Sequence, residues 1–246
     1  MRRTSRTVAS WYLCGDMQVS HSAALWRDFP ELAAGVVAAD GITAEAVVDA
    51  RVAAFCGAAE SRLANGSESE LPEIQAWRKA FGRLGLKPTQ YRCASEALLR
   101  RLRKEGVLPR IHPLIDLCNA ISMAFAIPVA VLDRDEIADP LEIRYADGTE
   151  DYETFAGEIE HPEPGEVTFA DGANRSHARR WCNRQSGASA VRDRTSSVLI
   201  VAEALHASAA ADMERLVETL AREISAAWDV TPRTALLTAD APRFDV

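Results

Sequence analysis

Asp116 and Asn119 stand in the middle of LPRIHPLIDLCNAISMAFAIPVAVLD, residues 108–133, a stretch that is otherwise almost wholly apolar. Three residues apart, they share one face of a helix, with Met123 one turn further on. Asn119 carries two donors and two acceptor sites and can hold an amide, a hydroxyl or a water. An ionised Asp116 only accepts. The pair therefore suits positioning chemistry, with Asn119 facing a substrate or its water and Asp116 orienting it from behind. A buried pair that merely fixes the helix against backbone is the competing explanation. The second candidate is RRWCNRQS, residues 179–186. Arginines can grip phosphate, and Trp181 can stack a base or sugar; a packed tryptophan flanked by surface arginines explains the string equally well.

Other chemistry is not signalled. The chain has no G-x-S-x-G, no G-x-x-x-x-G-K-[ST], no H-E-x-x-H and no G-x-G-x-x-G after a strand. Its five histidines lack metal-ligand spacing and read as surface or capping residues. The five cysteines include no C-x-x-C pair, so they read as free thiols in a reducing cytoplasm. Neither a metal nor a cofactor is expected.

A net charge of −8 argues against a general nucleic-acid binder, and no DNA partner is expected. The charge is segregated, however. Residues 139–171 are strongly acidic, with Arg144 alone opposing, while 175–194 and 92–110 are arginine-rich. Folding could gather the two basic stretches, with Arg100, Arg101, Arg103 and Arg179, into one patch for an RNA backbone. Solvated faces and internal ion pairs are the alternative. No apolar segment reaches the ~18–20 residues of a membrane helix, so no membrane contact is expected. The basic start reads as a leader over 1–19, followed by one domain over 20–246.

The elements that must hold these residues follow from periodicity. Residues 35–42 read as a buried strand and 42–64 as an alanine-rich helix; NGSESELPE, 65–73, reads as a mobile loop. Helices follow from residue 73 to Gly82 or Gly85, and from a Ser95 cap to Gly106. His112 lies at a cap position before Pro113, and Leu114, Cys118, Ile121 and Phe125 form the inner face of the next helix, which Pro128 ends. VAVLD and LEIRYA read as strands, with a hairpin turn at Asp147-Gly148. EVTFADG follows as a strand, and SSVLIVAE reads as a central one. A long amphipathic helix spans 203–229, and a closing strand 234–239. Helices first, then strands, then helix and strand give an α+β fold.

In order along the chain, AWRKAFGRLGLKPTQYRCASEALLRRL, the 108–133 stretch, GEVTFADG, RRWCNRQS and TSSVLIVAE resemble the B3/B4 domain of the phenylalanyl-tRNA synthetase beta chain, in free-standing form. The resemblance covers roughly residues 20–240. It implies a β-sandwich-like core with flanking helices, and an editing pocket that hydrolyses the ester of a mischarged aminoacyl-tRNA. By this resemblance the protein is a stand-alone trans-editing deacylase with tRNA as its partner, and not a complete ligase. Asp116 and Asn119 match the Asp and Asn of a D-V-T-N string, with Cys118 where the family has threonine. Ala130 stands where a pocket histidine is implied, and no glutamate occupies the turn 184–188. The implied set is Asn119 for catalysis and Asp116, Asp171, Arg180, Trp181, Arg184 and Gln185 for substrate. Such hydrolysis needs a positioned water and an oxyanion donor rather than a protein nucleophile. The departures leave a non-catalytic amino-acid, nucleotide or tRNA-binding module as the alternative. The amino acid, the tRNA and the oligomeric state are not legible.

Overall fold

The structure, a computed structural model, describes residues 17–64 and 66–246. In chain order the elements are β1 (Gln18–His21), α1 (Ala23–Asp28), β2 (Ala33–Asp40), α2 (Asp49–Leu63), α3 (Pro72–Arg83), α4 (Ala94–Glu105) and α5 (Pro113–Phe125). Then come β3 (Val129–Asp133), β4 (Leu141–Tyr145), β5 (Tyr152–Glu153), β6 (Ile159–Glu160), β7 (Val167–Ala170), β8 (Ala178–Arg179) and β9 (Arg184–Gln185). The chain closes with β10 (Ser197–Ala204), α6 (Ala209–Trp228), β11 (Arg233–Leu237) and β12 (Arg243–Asp245). The fold is α+β, as the order of sequence patterns implies.

Two four-stranded sheets dominate, ordered β12-β1-β4-β7 and β11-β2-β10-β3. In the second sheet β10 pairs antiparallel with β2 and β3. Its side chains alternate between two cores, because successive strand residues point to opposite faces. Leu199 and Val201 join Val36, Ala38 and Leu132 in a core shared with Val19, Ile143 and Phe169 of the first sheet. Val198, Ile200 and Ala202 join Val37 and Val131 in a second core against Leu117 and Ile121 of α5 and Leu216 and Leu220 of α6. Burial on both faces explains the nearly continuous apolar run of β10. Helix α6 lies so close to β2 that a methyl on Gly35 would stand 2.4 Å from Val217 Cγ2, so a larger residue there would force Val217 and Met213 to shift.

Several local expectations hold. His112 caps α5, its Nδ1 accepting from the Leu114 N–H at 3.2 Å, with Pro113 as first helical residue. Gly106 ends α4 in the left-handed region. Others need correction. Helix α2 starts at Asp49 rather than near 42, because Ile42 and Val48 are both drawn into the second core and tie down an irregular segment between them. Ser95 does not cap α4; it is buried and donates to the Ala126 carbonyl at 3.0 Å, and Cys93 holds the cap position. Helix α5 ends at left-handed Ala126, two residues before Pro128. Asp147-Gly148 turns the chain without making a hairpin, since β4 pairs with β1 and β7. Residues 203–208 precede the long helix, with Glu203 and Ala204 still in β10. The stretch expected to be mobile is pinned at its centre. Ser67 and Glu70 form a capping box around a short turn, and buried Glu68 accepts from Arg103 at 2.7 Å. The strand β1 begins inside the stretch read as a leader; residues 1–16 and Asn65 lie outside the described residues.

Candidate functional site

The RRWCNRQS string makes the turn between β8 and β9. Arg180 and Trp181 take φ of +48° and +61°, a conformation that bulky side chains rarely adopt. The consequence is an inward tryptophan. Trp181 is fully buried, with edge-on contacts to Phe29 at 4.8 Å and Trp77 at 4.9 Å. Its Nε1–H donates to Glu203 Oε1 at 2.8 Å, and His21 Nε2 is 2.8 Å from the same oxygen. Glu203 is itself 2% exposed. No donor among the described residues reaches its other oxygen.

Trp181 and Glu203 line a cleft of about 70 Å³. Pro128, Val129, Ala130, Phe169, Ala178 and Val201 supply apolar wall. Trp181 and Glu203 lie at its base, and Asn183, Arg184 and Gln185 lie along the turn. The two amides are fixed by neighbours: Gln185 Nε2–H donates to the Val131 carbonyl and Asn183 Nδ2–H to the Arg92 carbonyl, both at 2.7 Å. Because only the NH2 end can donate to a carbonyl, the amide oxygens remain as acceptors without donors among the described residues. Arg184 is exposed, 3.4 Å from Glu160 and stacked 5.5 Å from the Tyr152 ring centre. The cleft is thus apolar-walled, rich in acceptors at its base and cationic at its mouth.

Asp116 and Asn119 lie elsewhere. They line a cavity of about 210 Å³ between α2 and the 106–110 loop, with Cys56 and Glu60 opposite. Helix α4 connects the two sites. Ala94 lines the cleft and Leu102 the cavity, eight residues or about 12 Å apart along the helix axis. Asn119 faces its cavity and its amide bonds to none of the described residues. Asp116 does not support it; its Oδ1 accepts from the Ile111 N–H at 3.0 Å and its Oδ2 is 3.5 Å from Arg110. The expected Asp116–Asn119 couple is therefore a loop anchor beside a free amide. Cys118 packs in the second core, where burial pushes its thiol up to about 12.

The remaining expected residues separate further. Asp171 lines neither site. It accepts from His177 Nε2, from Arg175 Nε and from the Ala138 N–H, each at 3.0 Å, and also from the Arg175 N–H at 2.9 Å. Burial alone would raise its pKa, but these bonds outweigh burial and hold the carboxyl well below its ordinary value. Arg179 is 4% exposed and sealed between Glu160 at 2.7 Å and Glu166 at 3.0 Å, so it is not presented to a polyanion. Arg180 lies over Tyr91 and 3.4 Å from Glu166. On α4, Arg100 and Arg103 reach Glu68 and Arg101 reaches Glu105, leaving partly exposed but paired cations. The acidic 139–171 stretch and the basic 175–184 stretch thus largely neutralise each other, rather than forming opposed patches.

Of the histidines, His21, His177 and His206 are buried rather than surface or capping residues. Glu73, His206 and Asp212 bring potential metal-ligand atoms within 4.8 Å of one another. Arg62 holds Glu73 through two 2.8 Å contacts, and Arg215 pairs with Asp212, so cationic side chains already balance that group. No helix among the described residues is long and apolar enough to cross a membrane.

The sequence reading missed Glu203 and His21. Glu203 carried a usable signal: with Leu199 and Val201 it follows the period of two that places β10 side chains on the inter-sheet face. A charged residue there needs partners.

The model of the B3/4 domain family matches residues 76–226, and the chain belongs to this family. The matched span contains Asn119, the 179–186 turn and Glu203, and leaves out His21. Comparison with curated proteins gives no match. Among solved structures, an N-terminal fragment of the phenylalanyl-tRNA synthetase beta-subunit from Pyrococcus horikoshii is similar over 49% of this chain and 41% of that one, with 13% identity and a TM-score of 0.41. The chain spans about two-fifths of that fragment's length.

Proposed function

We propose that this protein acts on the aminoacyl end of tRNA, as a deacylase working in trans, and that the aminoacyl group enters the cleft between β3, β10 and the β8–β9 turn. The observation that carries this reading is the composition of the cleft in a B3/4 chain: apolar wall, fixed acceptors at the base and an exposed guanidinium, 3.4 Å from Glu160, at the mouth. The wall suits an amino-acid side chain. Arg184 is placed to donate to an ester carbonyl oxygen as it gains charge, or to the adjoining phosphate. A water supplies the nucleophile, and the released tRNA hydroxyl takes the proton. Arg179 and Asp171 serve the fold in this reading, and Arg100, Arg101 and Arg103 provide partly exposed cations on α4 for the tRNA backbone.

The test is incubation of the pure protein with a broad panel of correctly charged and mischarged tRNAs, following loss of the ester bond. Hydrolysis of one aminoacyl class above the spontaneous rate is the expected result. Inertness across the panel would overturn catalysis. The second reading, a binding module without turnover, is favoured by Ala130, which contributes a methyl group to the cleft wall where the resemblance implies a histidine. Saturable, ligand-specific stabilisation in a thermal-shift experiment without ester loss would select it.

A further inference from the structure

We infer that Glu203 is the receptor for the free α-ammonium group of the ligand, so that the cleft accepts aminoacyl esters and rejects N-acylated ones such as peptidyl or formylated esters. The inference rests on the proposed use of the cleft and specifies the chemical class of its substrate.

Glu203 is almost fully enclosed, yet its two donors, Trp181 Nε1–H and His21 Nε2, both end on Oε1. A carboxylate has about four lone-pair sites, and Oε2 has no donor among the described residues, so it is left to accept from what enters the cleft. The apolar residues beside it, Phe169 and Val201, cannot supply one. The missing donor must come through the cleft, from solvent or from a ligand. Gln185 and Asn183 line the same space; their NH2 groups are committed to backbone carbonyls, and their amide oxygens have no donor among the described residues. A primary ammonium has three donors and one positive charge, and it matches a site made of a carboxylate and neutral acceptors. The polarity of the cleft sets the direction of entry. Arg184 is at the exposed mouth, where a 3′-terminal nucleotide with its phosphate would lie, and the negative group is at the base. Acylation removes the charge and two of the three donors, and adds bulk at the enclosed base of the cleft. Trp181 and His21 are positioning residues here: they fix Oε1 and thereby aim the other oxygen.

The experiment measures binding, not turnover. Non-hydrolysable 3′-aminoacylamino-3′-deoxyadenosines bearing glycyl, alanyl, valyl, phenylalanyl and tyrosyl groups, each with a free and with an N-acetylated amine, are titrated calorimetrically into the full chain. At least one free-amine compound is expected to bind, and its acetylated form to bind about tenfold to a hundredfold more weakly, the range of a charge-assisted hydrogen bond. In Glu203→Gln that ratio should shrink towards one, with the loss falling on the free amine. The wild-type ratio decides the matter even if the variant folds poorly. Equal affinity for free and acetylated compounds, no binding by any of them, or a full ratio retained in Glu203→Gln overturns the inference. Glu203-dependent amine binding without hydrolysis of any aminoacyl-tRNA leaves the ammonium site standing and removes the deacylase. Hydrolysis indifferent to N-acetylation does the reverse.

Discussion

The cleft at Trp181 and the cavity at Asn119 sit at opposite ends of α4 and are built on opposite plans. In the cleft each polar side chain is held by a defined partner: Glu203 by His21 and Trp181, Gln185 by Val131, Asn183 by Arg92. In the cavity Asn119 is unheld, and the neighbouring Arg110 is exposed, shared between Asp49 and Asp116. A site that recognises a ligand needs its groups fixed before the ligand arrives. The cleft meets that condition and the cavity does not. A polar residue in an apolar sequence run therefore marks an interruption of the core, whereas fixing partners mark a preformed cleft, the one proposed here for recognition.

Removing the fixing groups should have the largest effects. Arg179→Ala strips Glu160 and Glu166 of their buried partner beneath the β8–β9 turn, and should cost about 3–5 kcal/mol in urea unfolding. Arg184→Ala at the exposed mouth should cost less than about 1 kcal/mol. Equal effects would mean that the turn is not supported from within. Trp181→Phe should come next, at about 1–3 kcal/mol, because it removes the Glu203 donor while keeping an aromatic ring between Phe29 and Trp77.

Acid tests the support from another side. The Asp171 carboxyl is held low in the folded chain, so its contribution is complete above the unfolded carboxylate value of about 3.9 and is lost as pH falls through the folded one. Burial also lowers the pKa of the cap His112, despite the opposing carboxylates of Asp193, Asp116 and Glu45. Stability from that group is present above the unfolded histidine value of about 6.5 and declines as pH drops below it. Unfolding free energy should therefore fall gently below pH about 6.5 and steeply below about 4. Asp171→Asn should flatten the lower limb, and His112→Asn the upper one. The smallest effect belongs to the cavity. Asn119→Ala should change stability by no more than about 0.5 kcal/mol, since no described residue loses a partner. A large loss would show Asn119 to be a structural residue after all.

Local signals carried much of the fold. The Pro113 start, the His112 cap, the Gly106 stop and the two-sided apolar run of β10 are each set within a few residues, and the structure repeats them. What sequence could not supply was non-local. Strand β1 is short and earns its place by pairing parallel with β4, over a hundred residues away. Arg179 read as a surface cation, and Trp181 as either packed or stacking, because their partners, Glu160, Glu166 and Glu203, come from other parts of the chain. The site was half legible for the same reason. Its turn, RRWCNRQS, stood out by composition, while its base is one glutamate at the end of an apolar strand, facing a histidine from β1.

Recognition is proposed to occur over Glu203 and not beside Asn119. The most direct measurement is a crystal structure with the tightest-binding 3′-aminoacylamino-3′-deoxyadenosine. Its amino nitrogen is expected within about 3 Å of a Glu203 oxygen, with the nucleoside towards Arg184. The same compound seated in the Asn119 cavity, with the Glu203 cleft unaltered, would contradict it.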